Sequence, residues 1–146
     1  TKGPPRTQAS MKTCAASSPC PCGRRDGKSR ELRYADCCGR YLETDLPAPD
    51  AESLMRSRYS AFCLERAPYL QATWHASTRP VGVEFDAGVK WLGLEVRQHM
   101  PVDADHAEVE FVARQREPGG RAVRLHERSR FVREDGRWFY VAGDFE

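Results

Sequence analysis

The sequence predicts an α+β fold in which two helices cover one face of an antiparallel sheet of about four strands, with a small cysteine-held knuckle ahead of that layer. Three observations carry this expectation. Apolar residues recur at helical spacing from Ala51 to about Arg66, they alternate at strand spacing after Pro80, and four cysteines crowd a stretch with little else to bury. At 146 residues the chain has length for one core and an accessory module, and too little for two full domains. Hydrophobic residues make up 40% and charged residues 30%. No apolar run approaches the roughly 18 residues that a membrane span requires, so none is expected.

Residues 1–17 mix Gly3, Pro4, Pro5, Ser10 and Ser17 without periodicity and read as a flexible lead-in, with Met11 a candidate initiator. Lys2, Arg6 and Lys12 have no apolar stretch behind them, so no secretory signal is visible and a cytoplasmic location is expected. Residues 18–42 form the cysteine module, whose large apolar residues are Leu32, Tyr34, Tyr41 and Leu42, so it needs a staple. Leu46-Pro47-Ala48-Pro49 is a stiff linker, and residues 49–146 form the α+β domain. Asp50 is a candidate helix N-cap, with Ser53 three residues on, and Met55, Tyr59, Phe62 and Cys63 follow on one helical face. Pro68 can open a shorter second helix carrying Tyr69, Leu70 and Trp74, and Thr78-Arg79-Pro80 stops it. Beyond it Leu92, Leu94 and Val96, then Val109, Phe111 and Ala113, then Val123, Leu125 and Phe131 alternate as strand residues do. Pro118-Gly119-Gly120 and Glu134-Asp135-Gly136 fall where hairpin turns belong. Helices followed by a meander give an α+β layer.

The cysteines run Cys20-x-Cys22, fourteen residues, then Cys37-Cys38, a two-plus-two set suited to one closed structural Zn²⁺ site. Disulfides or unrelated thiols are the competing reading. A bridge between neighbouring cysteines is strained, nothing indicates secretion, and the segment lacks a core, so zinc is the better account. Cys20 and Cys22 can converge from a tight turn bent by Pro21 and Gly23. In a strand Cys37 and Cys38 would face opposite ways, so they belong at a helix start or an irregular turn, where Gly39 supplies backbone freedom. Cys14 is a spare, expected to lie disordered, and Cys63 reads as a buried small hydrophobe on a helix face.

The net charge of +2 hides an asymmetry. Residues 1–42 hold nine Lys/Arg against three Asp/Glu, whereas the rest of the chain is net acidic. Arg24, Arg25, Lys28, Arg30 and Arg33 lie inside the loop that the cysteines close, where they can offset the charge of four thiolates or meet an anionic partner.

In the second half, Val123, Leu125, Glu127, Ser129 and Phe131 share one strand face, which sets two polar groups into an apolar stripe. Tyr59, His75, Glu127, Ser129 and Tyr140 are therefore the candidate pocket residues, and a His and carboxylate meeting in a cleft could do acid–base work. Plainer roles compete: His75 as a helix C-terminal cap, Glu127 paired with Arg58, and Trp91, Trp138 and Tyr140 as core. His126 points away from Glu127, and His99 and His106 read as surface loop residues. No phosphate-binding glycine loop, nucleophile elbow or metalloprotease motif is present, and no residue is assigned a catalytic role.

Cys20-Pro21-Cys22-Gly23, Gly27-Lys28 and Tyr34-Ala35-Asp36-Cys37-Cys38-Gly39 resemble the SEC-C zinc motif, named for the C-terminal tail of the SecA secretion ATPase. Leu54 to Ala61, Thr73-Trp74-His75, Trp91-Leu92-Gly93-Leu94 and Leu125 to Phe131 resemble the bacterial YchJ family. The likeness covers about residues 18–146 and implies a SEC-C module at 18–42 followed by a cone-shaped nuclear-transport-factor-2-like domain, in which a curved sheet wraps helices around a pocket. Arg24-Arg25-Asp26 lengthen the family's usual loop before Gly27, which costs little closure entropy. The resemblance brings no assigned reaction. It implies an adapter whose module docks on a protein or ribosomal partner, with SecB-type chaperones, the secretion machinery and acidic lipid surfaces as candidates. A pocket enzyme or small-ligand binder is the alternative, and direct RNA binding ranks last, because the basic stretch lacks clustered aromatics and an RNA-recognition motif.

Overall fold

The structure, a computed structural model, describes residues 12–145, so most of the expected lead-in, Met11 included, lies outside the described residues. A 3-10 turn at Tyr34–Asp36 leads into α1 (Gly39–Leu42), followed by α2 (Ala51–Cys63) and α3 (Ala67–Ala72). Four strands complete the chain: β1 (Lys90–Asp103), β2 (His106–Arg116), β3 (Ala122–Glu134) and β4 (Arg137–Phe145). They form one antiparallel meander in the order β1-β2-β3-β4, the α+β arrangement expected.

Local chemistry explains each boundary. The Asp50 side chain accepts from Ser53 N at 2.7 Å and caps α2. The helix stops at Cys63, short of the expected Arg66, because Glu65 takes a left-handed φ of 55°. Arg66 N then donates to Ala61 O at 2.9 Å and Glu65 N to Phe62 O at 3.3 Å, a C-terminal motif normally closed by glycine. The β3–β4 turn places Asp135 and Gly136 at φ of 54° and 78°, as a two-residue hairpin loop requires. β1 extends well past Val96 and runs through Pro101, which an edge strand tolerates. His99 consequently lies within β1 and His106 opens β2, a correction to the loop positions expected for both.

Register shifts interrupt β1 between Trp91 and Gly93, Val96 and Gln98, and Pro101 and Asp103, and β4 pairing shifts at Arg130/Phe131. Such irregularities bend strands, and α2 packs against β1, β2 and β4 at once. The cysteine module belongs to the same core. Cys20, Cys22, Tyr34, Cys37, Cys38 and Tyr41 join Leu54, Met55, Tyr59, Val109, Phe111 and Phe131 in one buried cluster. The described end of the lead-in is tied down as well: Lys12 N donates to Leu64 O, Tyr34 N to Ser18 O and Ala35 N to Ala16 O. Cys14 is accordingly placed and half-buried beside Pro19, not disordered. Among the described residues no helix is long and apolar enough to cross a membrane.

Candidate metal centre and pocket

The first cysteine pair sits on a turn. Gly23 N donates to Cys20 O at 3.1 Å, and Gly23 holds a φ of 74° that favours glycine. The chain then forms a short hairpin, with Leu32 N donating to Arg24 O and Asp26 N to Arg30 O. At its tip Asp26 Oδ1 accepts from Lys28 N at 2.8 Å and Arg30 N at 3.0 Å, so the lengthened loop is internally closed. The second pair follows the 3-10 turn, with Cys37 in an irregular conformation and Cys38 capping α1, the irregular helix start expected. Gly39 has a different reason from the one expected. Its φ is not left-handed, but an added Cβ would lie 2.7 Å from Tyr34 O and 3.0 Å from the Tyr34 ring. Close approach, not backbone freedom, calls for glycine there.

The two turns bring the sulfurs of Cys20, Cys22, Cys37 and Cys38 within 4.8 Å of one another, and Cys22 Sγ lies 3.6 Å from Cys37 Sγ. A tetrahedral ion with metal–sulfur bonds of about 2.3 Å needs sulfur separations of about 3.8 Å, so the donor set fits such an ion. All four cysteines are free thiols, and all are buried. Hydrogen bonds from Cys22, Cys37 and Cys38 hold the Cys20 thiol well below its ordinary range, while the contact with Cys20 pushes Cys37 and Cys38 far above theirs. The Cys22 thiol is also shifted down, whereas Cys37 and Cys38 resist ionisation, so a full thiolate set calls for a cation among them.

Helix α2 backs the cluster. Ser60 Oγ lies 3.7 Å from Cys20 Sγ, Arg56 Nη1 donates to Cys22 O at 3.2 Å, and Arg56 is held by Glu52 at 2.9 Å. Ser60 and Arg56 were not singled out in the sequence, because their role exists only across the contact with the module. Of the basic loop residues, Arg24 donates to Ser53 Oγ at 3.0 Å and Arg30 and Arg33 pair with Asp26 and Asp36. Arg25 donates to Ser29 O, and Arg25, Lys28, Arg30 and Arg33 remain exposed.

A second feature lies on the other flank of α2. A cavity of about 180 Å³ is walled by Tyr59, Phe62, Trp91, Phe111 and Leu125, with Arg58, Trp74, Glu127, Ser129 and Tyr140 also lining it. Tyr59, Glu127, Ser129 and Tyr140 all line this one cavity. His75 does not line it: the Trp74–Tyr140 bridge turns Trp74 inward, and His75, next in the chain, faces out. There its Nδ1 lies 2.7 Å from Ser77 Oγ and its Nε2 2.9 Å from Glu134. The histidine–carboxylate pair envisaged for a cleft is therefore split. His126 bonds Glu110 at 2.6 Å on the opposite sheet face.

Glu127 Oε2 accepts from Ser129 Oγ at 3.1 Å and Tyr140 Oη at 3.4 Å. Burial pushes its carboxyl above the ordinary range, and the two hydroxyls and the Arg58 charge oppose that only in part. β4 leaves it room, because a Cβ on Gly143 would overlap the Glu127 carboxylate. Arg58 does not form the expected ion pair with Glu127. It donates Nη1 to Leu70 O at 2.9 Å and Thr73 Oγ1 at 2.7 Å and stacks on the rings of Trp74 and Tyr140 at 4.9 and 4.6 Å. Burial lowers its pKa to about 10, which leaves it cationic at neutral pH. Its signal in the sequence is a charge beside Tyr59 on a helix face that is otherwise buried.

The profile of the family described as "YchJ, middle NTF2-like domain" matches residues 50–143. A UPF0225 protein of Polaromonas sp. (strain JS666) is 69% identical over 127 residues, spanning 86% of this chain and 91% of that protein. The solution structure of a SEC-C motif containing protein from Rhodopseudomonas palustris superposes with a TM-score of 0.74 at 32% identity, covering 87% of this chain and 98% of the other. The crystal structure of a SEC-C motif containing protein from Psychrobacter arcticus gives 0.72 at 31% identity, covering 87% and 82%. A cysteine module packed on a four-stranded α+β layer, joined by these likenesses along nearly its whole described length, places the chain in the YchJ (UPF0225) family, with a SEC-C motif ahead of a nuclear-transport-factor-2-like domain.

Proposed function

We propose that this chain is a zinc-binding adapter, a binding protein in which Cys20, Cys22, Cys37 and Cys38 hold one structural Zn²⁺. The observation that carries this reading is the closure of the site: Cys20, the most exposed ligand, retains 5% of its surface. Structural zinc sites are closed sets of four protein ligands, commonly cysteines, whereas catalytic ones keep a position open to substrate. The zinc-held hairpin then serves as a platform, and its exposed Arg25, Lys28 and Arg33 suit an acidic protein surface or a ribosomal particle. Native mass spectrometry beside the Cys22→Ser variant tests the metal. One zinc in the parent and none in the variant supports the reading, and a parent mass without metal sinks it. Sedimentation with purified ribosomes over a salt series, with Arg25, Lys28 and Arg33 changed to Glu, tests the docking. Binding that persists unaltered in the variant excludes the basic rim as the contact.

A second reading is favoured by the cavity beside α2, where charged and hydroxyl groups converge inside aromatic walls. That is the make-up of a small-ligand site. With His75 outside it, the polar end of the cavity has no paired acid and base of the kind envisaged, so the geometry favours a binder over an enzyme.

A further inference from the structure

The polar groups of the cavity have bonding capacity that the fold leaves over. Arg58 is 5% exposed, and among the described residues only its Nη1 is engaged by hydrogen bonds. Trp74 Nε1 is buried without a partner among the described residues. Glu127 receives both hydroxyls on Oε2, and Oε1 takes no hydrogen bond from the described residues. Unused capacity of this kind, on Arg58 and Glu127 where they line a cavity, is open to an occupant. The cavity thus offers a donor from Arg58 and an acceptor from Glu127.

Charge and shape narrow the occupant further. One buried cation, Arg58, and one half-buried carboxylate, Glu127, line the same space, so their charges oppose, and a ligand bringing a net charge of its own would be desolvated with little compensation. The aromatic walls of Phe62, Trp91 and Phe111 favour a flat ring. An apolar cavity of about 150 Å³ accommodates benzene, and this one measures about 180 Å³, room for one ring and a small substituent.

We propose that the cavity binds a small uncharged planar ring bearing adjacent hydrogen-bond acceptor and donor, an amide or lactam edge, with its carbonyl on Arg58 and its N–H on Glu127. This rests on the small-ligand reading above. The test is titration of the full, zinc-loaded chain, followed by protein-observed NMR, with benzamide and 2-pyridone against benzoate, benzamidine and toluene. The amide and lactam are expected to bind at least tenfold more tightly than the other three, with shifts at Trp74 and Ser129. 1-Methyl-2-pyridone, which lacks the N–H, is expected to lose at least tenfold relative to 2-pyridone, a comparison that needs no mutant to fold. Glu127→Leu is expected to weaken 2-pyridone similarly and strengthen toluene, with zinc content unchanged. Benzoate, benzamidine or toluene binding best would overturn the ligand class and leave the pocket reading standing. Silence from the whole panel would overturn both.

Discussion

The cysteine module and the sheet achieve burial by different means, and they meet on one helix. In the module the buried side chains are four thiols and two tyrosines, Tyr34 and Tyr41; in the sheet the large ones are Val109, Phe111, Val112 and Phe131. Ladder pairing adds to the sheet, while the module has only isolated bridges at Pro19–Arg33 and Arg25–Glu31. Helix α2 serves both. Ser53, Arg56 and Ser60 touch the module, and Met55, Arg58, Tyr59 and Phe62 touch the cavity. The difference teaches that a segment poor in apolar residues can still enter a shared core when its four cysteines are buried against a helix that the other region holds.

The comparison breaks or survives first on metal removal. Apparent binding energies of structural zinc, about 10–16 kcal/mol, are folding energies for the segment that holds the ion. Chelation, or Cys22→Ser, is therefore expected to strip hydrogen-exchange protection from residues 18–42 while the β2–β3 ladder stays protected. Simultaneous loss of both would show one cooperative unit, with the metal acting on the sheet through α2.

A smaller effect sharpens the same contrast. In Gly39→Ala the new Cβ meets Tyr34 O at 2.7 Å, and Tyr34 is itself pinned by its hydroxyl on Glu43 at 2.9 Å. Overpacking of this kind costs about 1–3 kcal/mol. The expected result is weaker zinc retention in a chelator competition with little change in the unfolding midpoint of the sheet. Asp50→Ala acts instead on the shared helix, where losing the cap costs about 1 kcal/mol. Both the denaturation midpoint and zinc retention are expected to fall, and an effect confined to one of them would argue that α2 does not couple the regions.

How much of this was legible follows from range. The cysteine spacing, the Asp50 cap, the strand alternation and the Glu127–Ser129 anomaly are local patterns; in the structure the four cysteines cluster, Asp50 caps α2, the strands form the sheet, and Glu127 and Ser129 line the cavity. What escaped depends on partners distant in the chain or on unusual backbone. Glu65 ends α2 in a conformation that glycine usually signals, and Pro101 is tolerated only because β1 is an edge. His75 turns outward because its amide bonds Tyr140 O at 2.7 Å. Gly143 looks like any strand glycine until the Glu127 carboxylate is seen against it. Arg58 carried the warning of a charge on a buried helix face, yet only the fold shows that its contacts are Leu70, Thr73 and two aromatic rings.

The smallest expected effect tests the cavity side of α2 by pH. Burial raises the folded-state pKa of Glu127 above its unfolded value, so ionisation is easier in the unfolded chain. Its contribution to stability is therefore full below the unfolded pKa and is lost as pH rises through the folded pKa. Glu127→Gln keeps the shape and cannot ionise. Urea midpoints of the two chains are expected to draw apart in favour of the variant as pH rises through the carboxylate range, then to run parallel at higher pH. Acid also protonates the cysteine cluster, but it does so in both chains, so the difference between them isolates Glu127. A flat difference would mean that the carboxylate is as well solvated as in the unfolded chain. Glu127 would then be an open surface group, and the two flanks of α2 would differ less than their geometry implies.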